Sequence, residues 1–178
     1  MIVDGTDLII TSRAPPANFP GTYWDYQCLW FSFKHRCSAI KYEVGVHFRT
    51  GRIVWINGPK RGAMNDITMA RTLLTSMMLP GEMALADRGY VGDEHFVTPM
   101  KGRRIPVDIT LEQLRGHVER VIGRIKFFKI IRDEYRGNLE IHPFLFDAVC
   151  RIVNINIDEA PIFVLPRWEF GNDFDEVD

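Results

Sequence analysis

The chain has 178 residues, a formal net charge of −1 and 46% hydrophobic residues, the composition of one ordinary globular domain and not of a disordered chain. No apolar run approaches the ~18 residues that a membrane span needs, and the opening residues lack the basic and apolar regions of a signal peptide. Three cysteines (Cys28, Cys37, Cys150) are too few, and odd in number, for a disulfide framework. Near-neutrality speaks at first against a nucleic-acid partner, but the charge is unevenly spread. Residues 158–178 hold seven acids and one base, which leaves a net +5 over residues 1–157. Residues 101–136 alone hold ten bases against five acids. The expected organisation is one basic domain over residues 1–157 and a solvated acidic tail over 158–178.

In chain order, residues 2–11 form an apolar-rich run that predicts a strand broken by Gly5. A turn-rich stretch with Pro15, Pro16, Pro20 and Gly21 precedes an aromatic patch of Trp24, Trp30, Phe31 and Phe33. Residues 40–48 alternate, with Ile40, Tyr42, Val44, Val46 and Phe48 on one face and Lys41, Glu43 and His47 on the other; this is the period-2 mark of a half-buried strand. Thr50-Gly51-Arg52 reads as a hairpin turn into a strand over residues 53–56. Ile67, Ala70, Leu73, Leu74 and Met77 predict a helix over residues 66–79, ended by Pro80-Gly81. Residues 83–86 are wholly apolar, a buried strand that stops at Asp87, and a loop is expected over residues 92–106.

Thr110 and Gln113 fit a capping box for a long helix whose apolar stripe is Leu111, Leu114, Val118, Val121, Ile122, Ile125 and Phe128. A last helix over residues 142–155 opens with Pro143 in its first turn. Strands first and helices later, with one buried strand between helices, predict an α/β domain with a mixed sheet flanked by helices.

Three carboxylates stand where element ends bring them together: Asp4 in the first strand, Asp87 at the end of the buried strand, and Glu119 on the long helix. Burial disfavours a charged carboxylate, and several converging without matched bases repel; a divalent cation is the usual remedy. Carboxylate oxygens are hard ligands that suit Mg²⁺ or Mn²⁺, and such sites carry out phosphoryl chemistry. At 100° per residue, Arg115, Glu119 and Lys126 fall within a narrow arc of one helix face. Glu119 would then ligate a metal while Arg115 and Lys126 engage phosphates; the plainer reading is an i,i+4 pair on a solvated face.

Four ordered pieces carry a family resemblance: Val-Asp-Gly-Thr from Val3 to Thr6, Gly62 with Asn65-Asp66 before a helix, Leu-Ala-Asp-Arg-Gly-Tyr from Leu85 to Tyr90, and the Arg115, Glu119, Lys126 row. With 31 residues between Asp87 and Glu119, the set resembles the DDE superfamily of transposase-derived endonucleases, of the PIF/Harbinger type and its bacterial insertion-sequence relatives. The resemblance implies an RNase-H-like fold and a metal-binding catalytic triad of Asp4, Asp87 and Glu119. Asp66 matches a further acidic position and is read as metal-associated, with helix N-cap as the competing role.

The implied activity is divalent-metal-dependent cutting of DNA phosphodiesters, and joining of strands, by an in-line mechanism with two Mg²⁺ (or Mn²⁺) ions. DNA is the implied partner, with a separate DNA-binding protein and a second copy of the chain as further possibilities, since an N-terminal DNA-binding region is expected to be absent. The implied place is the nucleus in a eukaryote and the cytoplasm otherwise. A domesticated or truncated derivative that binds DNA or protein without catalysis is the alternative.

Among the remaining residues, Lys34 and Arg36 beside the aromatic patch, Arg88 inside the Asp-Arg-Gly-Tyr motif, and Lys101, Arg103 and Arg104 in the loop are candidate phosphate contacts. Cys28, His35 and Cys37 fit no structural zinc spacing. The aromatic patch is read as packing on the sheet, with stacking on unpaired bases as the other role. Gly5, Gly89, Gly116 and Gly123 are read as positions of close approach or helix packing.

Overall fold

The computed structural model describes residues 1–99 and 106–162, with backbone alone for residues 106–113. The candidate contacts Lys101, Arg103 and Arg104, and most of the acidic tail, lie outside the described residues. Strand β1 (Ile2–Ile9) runs unbroken through Gly5. It pairs antiparallel with β3 (Cys37–Val46), which pairs antiparallel with β4 (Ile53–Arg61). On its other side β1 pairs in parallel with β5 (Ala84–Leu85), and β5 with β6 (Phe96–Val97). The short β2 (Phe31–Ser32) joins the start of β3, completing a six-stranded mixed sheet. This mixed sheet flanked by helices is consistent with the RNase-H-like fold.

The alternation along β1 and β3 sends side chains to two different layers. Ile2, Leu8, Ile40, Tyr42, Val44 and Val46 meet the long helices α4 (Pro106–Ile125) and α6 (His142–Glu159) in the main core. Helix α4 supplies Val118, Val121, Ile122 and Ile125 to that core, as its apolar stripe requires. Tyr42 stacks on Phe146 with ring centroids 3.9 Å apart, and its hydroxyl shares a 2.8 Å hydrogen bond with the buried His142. On the opposite face Val3 packs with Ala70, Leu74, Ala84, Ala86, Tyr90 and Phe96 beneath helix α2 (Asp66–Thr72).

Several expectations need correction. The aromatic patch contains helix α1 (Tyr23–Trp30), whose Thr22 and Asp25 form a capping box: Thr22 Oγ1 accepts from Asp25 N, while the Asp25 carboxylate accepts from Thr22 N. Strand β4 runs on to Arg61, five residues past the expected end. The helix expected over 66–79 breaks at Leu73, with φ −150°, into α2 and a single turn, α3 (Leu74–Met77). Strand β6 lies inside the stretch expected to be loop. Helix α4 begins at Pro106, so Thr110 sits inside it and not at its cap, and Phe128 lies past its end, before the short α5 (Lys129–Arg132). The last helix, expected over 142–155, runs on to Glu159, and its Asp158 is ion-paired with Arg52. None of the described helices is long and apolar enough to cross a membrane.

Candidate active site

The parallel register of β1 and β5 is the starting point of the site. Ile2 is paired with Leu85, and Asp4 and Asp87, each two residues further along, come close enough to line one cleft and to interact electrostatically. Asp4 lies within β1 and accepts a 2.8 Å hydrogen bond from the backbone N–H of Gly5. Asp87 follows β5 by two residues and caps the 3-10 turn Arg88–Tyr90 by accepting from Gly89 N at 2.7 Å. Burial pushes the Asp4 carboxyl up from 3.8 to about 6, and the nearby charges of Asp87 and Asp66 push it the same way; the Gly5 N–H and Arg115 oppose the shift.

Asp66 enters from the other side of β1. A β-carbon on Gly5 would stand 2.5 Å from its carboxylate, and one on Gly89 would stand 2.7 Å from it and 2.9 Å from that of Asp87. Two glycines thus let the Asp66 carboxylate lie directly against β1 and the Asp87 turn. The expectation of close approach at Gly116 and Gly123 is not met, because beyond their own stretch of helix no described atom lies within 4 Å of where their β-carbons would be. Asp66 is not the N-cap of α2: Asn65 holds that place, without a side-chain capping bond, and Asp66 opens the helix. Its carboxylate accepts from Lys41 Nζ at 2.9 Å, and Lys41 also lies 3.7 Å from Asp7.

Asp4, Asp7, Lys41, Asp66 and Asp87 line one cleft of about 260 Å³, together with Phe33 and Lys34. Glu119 is not among the lining residues. It is 61% exposed on α4 and makes an ion pair with Arg115 at 3.8 Å, and Arg115 in turn acts on Asp4. Among the described residues, no three His, Cys, Asp or Glu side chains converge on one point that a metal ion would occupy. Lys126 leaves the end of α4 to donate a 3.1 Å hydrogen bond to the Asp7 carbonyl, and burial holds its amine below the usual lysine range. Lys34 and Arg36 are exposed on the turn between β2 and β3, and Arg88 is exposed beside Asp87. Cys28 and Cys37 are free thiols.

Two residues of this layer escape a reading of the sequence. Lys41 and Glu43 fall on the polar face of β3, which the alternation assigns to solvent, yet that face is covered by α2 and β4 neighbours. Glu43 is fully buried and accepts from Trp55 Nε1 at 2.8 Å, Asn57 Nδ2 at 3.4 Å and the Tyr90 hydroxyl at 3.2 Å. Burial raises its carboxyl, and the three donors partly restore the charged form. Asn57 also donates to the Met69 carbonyl of α2 at 3.3 Å, so this cluster ties β3, β4, α2 and the turn after Asp87 together. The signal available in the sequence is Tyr90 itself, a polar-tipped ring ending an apolar motif that needs a buried partner.

Two outcomes follow from these environments. Replacing Glu43 by Ala leaves the Trp55 and Tyr90 donors unpartnered in the interior and is expected to cost about 2–3 kcal/mol, with Glu43→Gln costing clearly less, measured by urea unfolding. Asp4 has a folded pKa above its unfolded one, so the native state holds the extra proton between about 4 and 6 and loses stability as pH rises through that interval. In chelator, the stability of Asp4→Asn relative to the wild type, read by urea unfolding, is therefore expected to rise from about pH 4 to pH 7 by an amount on the order of 3 kcal/mol. Saturating Mg²⁺ is expected to cancel that advantage.

No curated protein and no solved structure matches the chain. A protein-family model described as DDE superfamily endonuclease matches residues 3–154, a span that starts one residue before Asp4 and takes in Asp66, Asp87, Arg115, Glu119 and Lys126. That match covers most of the chain and all of the sheet but Ile2, and the chain belongs to the DDE superfamily endonucleases.

Proposed function

We propose that the protein is a metal-dependent DNA endonuclease of transposase type, with Asp4, Asp87 and Glu119 as its catalytic carboxylates and Asp66 as an accessory one. The observation that carries this reading is that Asp4 and Asp87 line one cleft together with Asp66, where burial and the charges of Asp87 and Asp66 raise the Asp4 carboxyl. Endonucleases of this family use divalent metals, typically Mg²⁺. The donor set here fits such an ion: hard oxygens only, with the Asp4 carboxyl raised by its burial, and with Lys41 paired to Asp66 and Asp7 while no ion pair to Asp4 or Asp87 is found among the described residues.

When bound by Asp4, Asp87 and Glu119, Mg²⁺ or Mn²⁺ supplies Lewis-acid stabilisation of charge building on the phosphate oxygens. The chain's own residues do the rest. Asp4 and Asp87 are held in their rotamers by the N–H groups of Gly5 and Gly89, so neither has to reorganise to accept a cation. Lys41 holds the Asp66 carboxylate in place against β1. Arg115 lies between Asp4 and Glu119 and offers its guanidinium fork to a phosphate at the mouth of the cleft. Lys126 braces β1 from behind at Asp7, and Lys34, Arg36 and Arg88 extend the cationic rim on which a DNA backbone would lie. Hydrolysis at this site liberates a 3′-hydroxyl, which a second in-line displacement would join to target DNA. Work on DNA goes with a nuclear place in a eukaryote and a cytoplasmic one otherwise, and with a separate DNA-binding protein or a second copy of the chain as partners.

A non-catalytic DNA-binding module is the second reading, favoured by the exposed position of Glu119 outside the cleft. Nicking of supercoiled plasmid separates the two. Wild type is expected to nick in Mg²⁺ or Mn²⁺ and not in EDTA, and Asp4→Ala, Asp87→Ala and Glu119→Ala are each expected to lose at least about a hundredfold while remaining folded. Full activity in any one of the three removes that residue from the site, and plasmid binding without metal-dependent nicking supports the module.

A further inference from the structure

The cleft has an aromatic wall that the carboxylate chemistry does not use. Phe33 lines it together with Asp4, Asp66 and Asp87, yet its ring is 82% exposed, and Lys34 stands beside it. Exposed aromatics elsewhere, such as Trp24, do not border the cleft.

Phe33 is held on a firm turn. Ser32 before it is fully buried, and its Oγ donates to Asp7 Oδ2 at 2.6 Å, which ties the turn to β1. Ser32 also takes both ends of the turn: its Oγ accepts from His35 N at 3.2 Å and its carbonyl accepts from Arg36 N at 2.7 Å. Arg36 closes the turn in the left-handed region at φ 56°. The Phe33 ring stands edge-on to Phe31 at 5.2 Å and 90°, so its direction is set by a neighbour and not by solvent. A large apolar face is thus oriented at fixed distance from the acidic floor, with cations on its flank.

We propose that Phe33 is a stacking platform for an unpaired nucleobase next to the phosphodiester that the carboxylates address, with Lys34 holding the phosphate beside that base. This rests on the nuclease reading and extends it to the form of the substrate: DNA with an unpaired or unstacked nucleotide at the cleavage point. A flat apolar face answers the base, the flanking cations answer the backbone, and the acidic floor answers the scissile group through its metal. A base stacked in a duplex has no free face to offer this ring, so the preference is for a frayed, overhanging or single-stranded position.

The test is binding of the full chain, in Ca²⁺ to hold off cleavage, to a blunt duplex and to the same duplex with a short single-stranded extension carrying 2-aminopurine. Wild type is expected to bind the extended duplex more tightly and to change the 2-aminopurine fluorescence. Phe33→Ala is expected to lose about tenfold in affinity for the extended duplex with little change for the blunt one, together with the fluorescence change, and Phe33→Trp to restore both. Lys34→Ala is expected to weaken both duplexes alike and to lower the salt slope by about one. Phe33→Ala binding both duplexes as wild type does, or weakening both equally, overturns the stacking role while leaving the nuclease reading standing. A wild-type chain that binds neither duplex overturns both.

Discussion

The parallel pairing of β1 with β5 is the constraint on which the rest of the site depends. It brings a carboxylate in the middle of one strand beside a carboxylate just past the end of its neighbour. Neither position is fully solvated, and the Asp4 carboxyl is accordingly raised to about 6. A fold that only had to be stable gains nothing from this arrangement, since uncharged residues in the same register would remove the repulsion. Repulsion of this kind between partly buried carboxylates is common at functional sites, and it is the ground on which a cation site is proposed here.

The surrounding structure handles that repulsion in layers. Lys41, opposite Asp7 across the β1–β3 register, takes up Asp66 and Asp7, and Arg115 offsets part of the charge at Asp4. Glycine at positions 5 and 89 lets the Asp66 carboxylate lie against the backbone without a clash. Behind them the buried Glu43 accepts from Trp55, Asn57 and Tyr90, and Tyr90 ends the same turn that begins with Asp87. The turn that carries a catalytic candidate at one end is therefore anchored in the interior at the other. On the opposite face, α4 is fixed by Val118, Val121, Ile122 and Ile125, which leaves Arg115 facing Asp4 and Glu119 one turn further along.

What the sequence made legible is the part with strong periodicity or a sharp polar interruption. The strand with Asp4, the apolar run that stops at Asp87, and the long stripe of α4 all have that character, and each has its element in the structure, although β1 runs through Gly5 without a break and Phe128 lies past the end of α4. The polar layer did not. Alternation along β3 identifies which residues are apolar, but it cannot say that the polar face is also covered, so Lys41 and Glu43 read as solvent-facing. The partners that give them meaning are distant in the chain: Asp66 for Lys41, Tyr90 for Glu43. Helix α1 was hidden because its aromatic residues carry no clear one-sided pattern; none of its residues is buried. Strand β6 is two residues long and is created by pairing with β5, which no local pattern records.

Calorimetric titration of the full chain with Mn²⁺ near neutral pH, alongside Asp4→Asn, tests the central claim most directly. If Asp4 and Asp87 form a cation site, the wild type takes up Mn²⁺ more tightly as pH rises through about 6, releasing protons below that point, and Asp4→Asn loses both the binding and its pH dependence. Absence of Mn²⁺ binding by the wild type, or equal binding by the variant, would contradict the account.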